Sequence, residues 1–428
     1  MTSSGIVRAW LRNGLQVRLK EMPTAPLISF WVWYRVGSRN ERPGTTGASH
    51  WVEHMQFKGT PAFPSGLLDR AVARDGGQWN AFTYLDWTAY FETMPADKID
   101  LGLRLEADRM AHSSFKPADV TSERTVIISE RQGRDNEPAN RLSEEVQAAA
   151  FRVSPYHHEI IGDMADLESM TREDLFGHYR RFYLPNNAVI AVAGDFRARK
   201  MLARLRELFG EIPSGPRPDS RSRSEPPQQG ERRVTVEGPG ETAYLEIVFH
   251  APRAVDPDFF PTVVLDSVLA GASNFNFFGG GTSNKTSRLY KALVESGLAA
   301  GVSGGLSATI DPYLYTVFVT VRSGRTPQEV EAALDAELRR AAEEPVSPAE
   351  MGKALKQARA IFAYGSESIT NQAFWLGYSE MFADYSWFQS YLERLSQVTP
   401  EEVQRAAQKY LARTNRTVGY YVPAKMSD

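Results

Sequence analysis

The chain has 428 residues, enough for two or more domains, and at 42% hydrophobic and 24% charged it has the make-up of an ordinary soluble globular protein. A formal net charge of −3 gives no electrostatic reason to expect nucleic acid or an anionic membrane as a partner. The absence of cysteine removes disulfides, thiolate metal ligands and cysteine nucleophiles together.

The first ten residues, from Met1 to Trp10, contain no apolar core of signal-peptide length. No run approaches the ~20 apolar residues of a membrane span. The expectation for the chain as it stands is the cytoplasm, or the periplasm if a signal has been removed. Residues 15–20 and 28–36 read as strands. In the second, Ile28, Phe30, Val32, Tyr34 and Val36 alternate with Ser29, Trp31, Trp33 and Arg35. Two tryptophans on the second face imply that it is covered as well. A turn-rich approach with Pro43 and Gly44 leads to a helix that ends near Lys58 and Gly59. A further helix is expected over 65–75, closed by Gly76 and Gly77. Residues 79–84 and 88–94 read as two β-runs joined by a turn at Leu85 and Asp86, and 97–150 reads as helical. The apolar run 187–193 precedes Gly194 and a helix carrying Met201, Leu205 and Leu208 on one face.

Residues 213–230 hold five prolines and almost nothing apolar, the composition of an extended, solvated linker. The expected division is therefore 1–212, a linker over 213–231, and 232–428. The second half repeats the order of the first: a strand at 244–250, a Pro-containing loop, then a helix over 259–270. Both halves also end alike. Thr171 with Asp174, and Thr399 with Glu402, form capping boxes, and each helix leads to a Tyr-Leu pair, an asparagine and a β-rich run. Matching order at both ends of both halves argues duplication.

The stretch that carries chemistry is Gly47-Ala-Ser-His50-Trp-Val-Glu53-His54-Met55. On a helix, His50 and His54 lie one turn apart on one face, placed to bind a single metal ion, with Glu53 beside them as a proton acceptor. H-x-x-E-H is the reverse of the commoner zinc-protease order. In the second half the corresponding helix reads Val263-Val-Leu-Asp-Ser-Val-Leu269, which is core. A hydrolytic zinc takes three protein ligands and keeps one position open. Without cysteine the third must be His, Asp or Glu. Glu123 and Glu130, seven apart on one helical face with Ile127 between them, are candidates beside the other five histidines, and composition does not choose among these.

The run His50-Trp-Val-Glu53-His54-Met-Gln-Phe-Lys-Gly-Thr60 resembles the pitrilysin (inverzincin) family of zinc peptidases. So, in order, do Asn80-Ala-Phe-Thr83 with Asp86 and Thr88, Glu106-Ala-Asp-Arg-Met110, Ile161-Gly162, and Tyr183-Leu-Pro-Asn-Asn-Ala188. The resemblance covers nearly the whole first half and is looser in the second, at Ser287-Arg-Leu-Tyr290 and Ser296-Gly-Leu298. The length is similar to that of the short branch, which includes mitochondrial processing peptidase. The resemblance implies an α+β fold of two homologous domains in tandem, each a mostly antiparallel sheet packed with helices, and one chain as half of a clamshell dimer. That family's third ligand is a Glu about 76 residues beyond the second His, and Glu130 stands 76 residues beyond His54. By carry-over, His50, His54 and Glu130 are the ligands of one Zn2+ per chain. Glu53 is the general base, Glu123 orients a ligand, and Asn80, Ala81, Phe82 and Thr83 form an edge strand that holds extended peptide. The implied function is endopeptidase hydrolysis of short or unfolded peptides through metal-activated water.

One departure stands out. Active members take an Arg and a Tyr from a second-half stretch like L-R-x-x-x-G-L-x-Y, to stabilise the oxyanion and hold substrate. Here Leu293-Val294-Glu-Ser-Gly-Leu-Ala-Ala300 is one residue shorter, with Val294 at the Arg position and Ala300, or Gly301 after a shift, at the Tyr position. The expectation is a heterodimer whose homologous partner supplies the pair; a homodimer is the other form, and a degenerate or scaffold subunit the alternative. The stretch from Phe277 through Gly279, Gly280 and Gly281 to Asn284-Lys285-Thr286 approaches a phosphate-binding loop but has Asn284 where the last Gly belongs. A glycine loop at the mouth of a chamber is the preferred reading.

Overall fold

The computed structural model describes residues 5–219, 223–273, 275 and 284–424. Among these residues eleven strands run in chain order: β1 (Ile6–Trp10), β2 (Gln16–Glu21), β3 (Leu27–Tyr34), β4 (Gln78–Thr83), β5 (Thr88–Pro95), β6 (Ala188–Gly194), β7 (Arg232–Gly238), β8 (Tyr244–His250), β9 (Ala299–Leu306), β10 (Leu314–Val321) and β11 (Arg416–Pro423). The helices are α1 (Ala48–Met55), α2 (Leu67–Asp75), α3 (Asp100–His112), α4 (Pro117–Asp135), α5 (Pro138–Ala150), α6 (Met164–Ser169), α7 (Arg172–Phe182), α8 (Ala198–Phe209), α9 (Phe259–Leu269), α10 (Pro327–Glu343), α11 (Pro348–Tyr364), α12 (Ile369–Phe382), α13 (Tyr385–Gln389), α14 (Tyr391–Gln397) and α15 (Pro400–Tyr410).

The strands form two sheets, ordered β1-β2-β6-β3-β5-β4 and β7-β11-β8-β10-β9. In each, one neighbouring pair is parallel (β2 with β6, β7 with β11) and the rest are antiparallel. Dropping β1 makes the two orders correspond strand for strand. The fold is α+β, with two tandem copies of one sheet-and-helix topology. Thr171 and Thr399 accept from the backbone N–H groups of Asp174 and Glu402, as their capping boxes require. The helical stretch 97–150 is three helices, with Pro117 and Pro138 opening the second and third, where a missing N–H costs nothing. β1 lies outside the strands expected from the sequence and pairs antiparallel with β2.

The chain divides into two compact units that do not follow the sequence halves. The first comprises Met1–Arg131, His158–Arg221 and Ser366–Phe388; the second comprises Gln132–His157, Ser222–Gly365 and Gln389–Asp428. Each sheet thus has one face covered by a helix drawn from the other half of the sequence. In the first unit, Ile28, Phe30, Val32 and Tyr34 of β3 face the main core, among Leu19, Val52, Met55, Leu103, Ile127, Ile190 and Leu205. Trp31 and Trp33 face α12. Trp31 packs on Phe91 and Phe374 at centroid distances of 4.4 and 5.7 Å, and Trp33 on Phe374 at 5.4 Å. Arg18 Nε and Nη2 donate to Glu380 Oε1 and Oε2 at 2.7 and 2.9 Å, a buried bidentate pair. In the second unit, Leu142 and Val146 of α5 lie against Gly419 of β11.

The described part of 213–230 has no helix or strand, as its composition requires, but it is not wholly solvated. Glu225 accepts N–H bonds from Arg152, Val153 and Ser154, and Gln228 Nε2 donates to Arg416 O at 2.6 Å. The glycines 279–281, weighed above as a phosphate loop, lie outside the described residues.

Two outcomes follow from this packing. A Cβ added at Gly377 would lie 2.0 Å from the indole nitrogen of fully buried Trp33, so G377A overpacks the α12 contact. It should lower stability by about 1–3 kcal/mol in denaturant unfolding. All eleven residues of α9 are buried, and burial pushes Asp266 from 3.8 to about 7 against the pull of Ser273 and Tyr315. Between those pH values the folded chain holds a proton that the unfolded chain has lost. Stability from this group is therefore complete below about 4 and lost as pH rises toward about 7. Urea unfolding of the metal-free protein across that window should show a smaller fall with pH for D266N than for the wild type.

Candidate metal centre

Helix α1 begins at Gly47, whose φ of +85° is a left-handed conformation suited to glycine. A Cβ there would meet Ile161 O at 2.2 Å, so the close approach requires glycine as well. Glycine offers no side-chain cap. The carboxylate of Glu41 takes that place, accepting from Gly47 N at 2.8 Å and Ser49 N at 2.7 Å. Burial pushes Glu41 up to about 8 although both N–H groups pull it down. Asp166 Oδ2 accepts from Gly44 N, Thr46 N and Thr46 Oγ1, fixing the approach to the helix. Trp51, Val52 and Met55 sink into the core, which turns His50 and His54 outward on the opposite face.

Helix α4 supplies the carboxylates. Ile127, fully buried, anchors the face on which Glu123 and Glu130 stand two turns apart. Arg124 pins α4 by donating to Leu167 O at 2.7 Å and Met170 O at 2.6 Å, with its guanidinium 5.0 Å over the Trp51 ring of α1.

The three donors converge. His50 Nε2 and His54 Nε2 are 3.3 Å apart, and Glu130 Oε2 lies 3.8 and 3.7 Å from them. Three atoms each roughly 2.0–2.2 Å from one ion span edges of this size, so the donor set fits a small divalent metal. It is the one such group of three among the described residues. The Glu130 side chain is 44% exposed, which leaves the outer side of the triangle open. His54 Nδ1 bonds Glu123 Oε1 at 2.9 Å, which directs Nε2 at the triangle. Burial alone would push Glu123 up, but the bonds from His54 and Lys58 outweigh it and hold the group below its usual range. Burial likewise pushes His54 down, and the Glu123 hydrogen bond with the surrounding carboxylates more than reverses it.

Glu53 sits on the same helix, buried, with Oε2 accepting from Thr83 Oγ1 at 2.6 Å. Burial raises it to about 7 against the pull of Thr83 and His54. The other residues named from the sequence separate along β4, the last strand of its sheet. Asn80 is exposed and its Oδ1 accepts from Ala81 N, Ala81 is buried, and Phe82 stacks on Phe91. Val294 lies in a π-helical turn (Tyr290–Glu295) and Ala300 on the edge strand β9, so neither position offers a polar side chain. Sequence reasoning missed Lys58, which stands against Glu123 Oε2, and the cap from Glu41. Lys58 falls four residues after His54, a helical spacing that could have flagged it. Glu41 carries no local signal. A cavity of about 680 Å³ in the same unit, lined by Tyr179, Arg180, Arg181 and residues 212–219, contains none of these groups.

The family model described as insulinase (peptidase family M16) matches residues 16–164, and that described as peptidase M16 inactive domain matches 169–358. A Mycobacterium tuberculosis protein named as an uncharacterized zinc protease is 29% identical over 410 residues, spanning 95% of this chain and 91% of its own. An Arabidopsis thaliana protein named as a probable mitochondrial-processing peptidase subunit beta is 29% identical over 272 residues, covering 63% of this chain and 51% of its own. The crystal structure of a protease from Helicobacter pylori superposes with a TM-score of 0.91 at 26% identity, covering 98% of this chain and 99% of that one.

The donor geometry makes a direct demand on metal binding. Zinc titrated against a chromophoric chelator should bind the wild type at one equivalent, and H54A should lose that site. E123Q should bind about 10–100-fold more weakly because the His54 ring is no longer held by a charged acceptor.

Proposed function

The chain belongs to peptidase family M16, and on that premise we propose that it is the zinc-bearing subunit of a metalloendopeptidase acting on short or unfolded peptides. The observation that carries this reading is the triangle of His50 Nε2, His54 Nε2 and Glu130 Oε2 with the buried carboxylate of Glu53 on the same helix. In the proposal His50, His54 and Glu130 hold one zinc per chain. Bound there, zinc supplies Lewis-acid chemistry, polarising a carbonyl oxygen and acidifying water.

The chain's own residues do the rest. Glu53 takes a proton from the attacking water and returns it to the departing amide nitrogen. In the metal-free chain burial holds Glu53 above the usual carboxylate range, which favours its taking up a proton. Glu123 keeps the His54 ring in one orientation and Lys58 keeps Glu123 charged. Among the described residues β4 pairs only with β5, which leaves its outer edge available to an extended peptide added as a further strand. Backbone pairing reads little sequence, which supports broad specificity.

Val294 and Ala300 leave this chain without the Arg and Tyr that the family resemblance leads one to expect in the second half. We therefore assign it a homologous partner chain that brings them. The same two positions favour one alternative, a degenerate or scaffold subunit that keeps the metal and hydrolyses little. Among the described residues no helix is long and apolar enough to cross a membrane. The cytoplasm, or the periplasm for a form delivered by a signal, belongs to the same proposal.

The test is hydrolysis of a quenched, unstructured peptide, with zinc measured on the same sample, by the chain alone and with a homologue carrying the Arg/Tyr pair. Stoichiometric zinc, weak activity alone and strong activity together are expected. Full activity alone would overturn the need for a partner, and zinc without activity in either case would leave the scaffold alternative. In the active form, E53Q should retain zinc and lose about 10²–10⁴-fold in kcat.

A further inference from the structure

Thr83 closes β4, paired with Thr88 across the hairpin. Its hydroxyl holds a single proton. Among the described residues two oxygens lie within its reach: Glu53 Oε2 at 2.6 Å and Thr88 Oγ1 at 3.4 Å. Thr88 gives its own proton to Val36 O at 2.8 Å, and the longer contact is too long for a good O–H···O bond. The Thr83 proton is therefore committed to Glu53. A β-branched side chain in a strand has a stiff χ1, so its hydroxyl is a fixed point. Glu53, by contrast, reaches its position on three rotatable bonds and depends on a partner to hold one rotamer.

We propose that Thr83 is a positioning residue for Glu53: it holds Oε2 and leaves Oε1 as the oxygen that exchanges protons with the reacting water. The inference rests on reading Glu53 as the base. It changes what Thr83 does, from the substrate contact expected of the 80–83 run to an internal support of the catalytic carboxylate. It also makes one rigid strand responsible for two alignments. The edge of β4 is where an added peptide would pair, and the strand's last side chain sets the base.

The test compares T83V, which keeps the shape and removes the hydroxyl, with T83S, which keeps the hydroxyl, in the full chain paired with the Arg/Tyr-bearing homologue. T83V should lower kcat by about 10–100-fold with KM within about twofold and zinc stoichiometry unchanged. T83S should stay within about threefold of wild type. A raised KM with kcat retained would return Thr83 to the role of a substrate contact, and wild-type kinetics in T83V would end the proposal. If the wild-type pair hydrolyses nothing, the peptidase reading fails on its own, and thermal unfolding of the zinc-loaded chain decides the remainder. T83V should then lower Tm in the wild-type background and have little effect in an E53A background. Equal losses in both backgrounds would show that Thr83 does not act through Glu53.

Discussion

Two imidazoles and a carboxylate from two helices have to meet within edges of 3.3 to 3.8 Å, and much of the first unit serves that constraint. The chain fixes α1 and α4 with charged and polar contacts at defined points. Glu41 holds the start of α1, Arg124 ties α4 to the end of α6 and lies over Trp51, and Glu123 joins α4 to His54. Each of these groups is partly or wholly removed from water, where a missing partner is costly, so the geometry is held by the penalty for breaking it.

Three carboxylates, Glu53, Glu123 and Glu130, crowd this small region. Burial, with a smaller push from Glu130, is what lifts Glu53, while His54 and Lys58 keep Glu123 charged. One helix thus carries two imidazoles able to hold a metal and one carboxylate able to move a proton, and its neighbour tunes both. Separating pKa values through environment in this way lets similar side chains take different tasks.

The two copies of the topology show what the fold does not decide. α1 and α9 follow equivalent strands, β3 and β8, yet α1 turns His50 and His54 outward and α9 is buried on every face. The exchange of α5 and α12 between the halves has a simple cause. A central strand such as β6, apolar at every position, needs cover on both sides. In each unit the second cover comes from the other half, so neither half of the sequence buries its own sheet. The Arg18 and Glu380 pair fixes the seating of α12, since either charge left alone in that interface would be strongly unfavourable.

The sequence by itself determined the local elements and the residue types of the centre. Period-two alternation located β3, capping boxes located α7 and α15, and the four-residue histidine spacing placed both imidazoles on one face. It also named Glu130, although through likeness to a family and not through spacing, because a ligand on a distant helix has no local signature. The tertiary structure decided which partners meet. Thr83 with Glu53, Lys58 with Glu123, Glu41 with the α1 N-terminus and α12 with the tryptophan face all join segments whose contact depends on the folded path. Periodicity reports which face of an element is buried, but it does not say against what, and at this centre the chemistry is set by the neighbour.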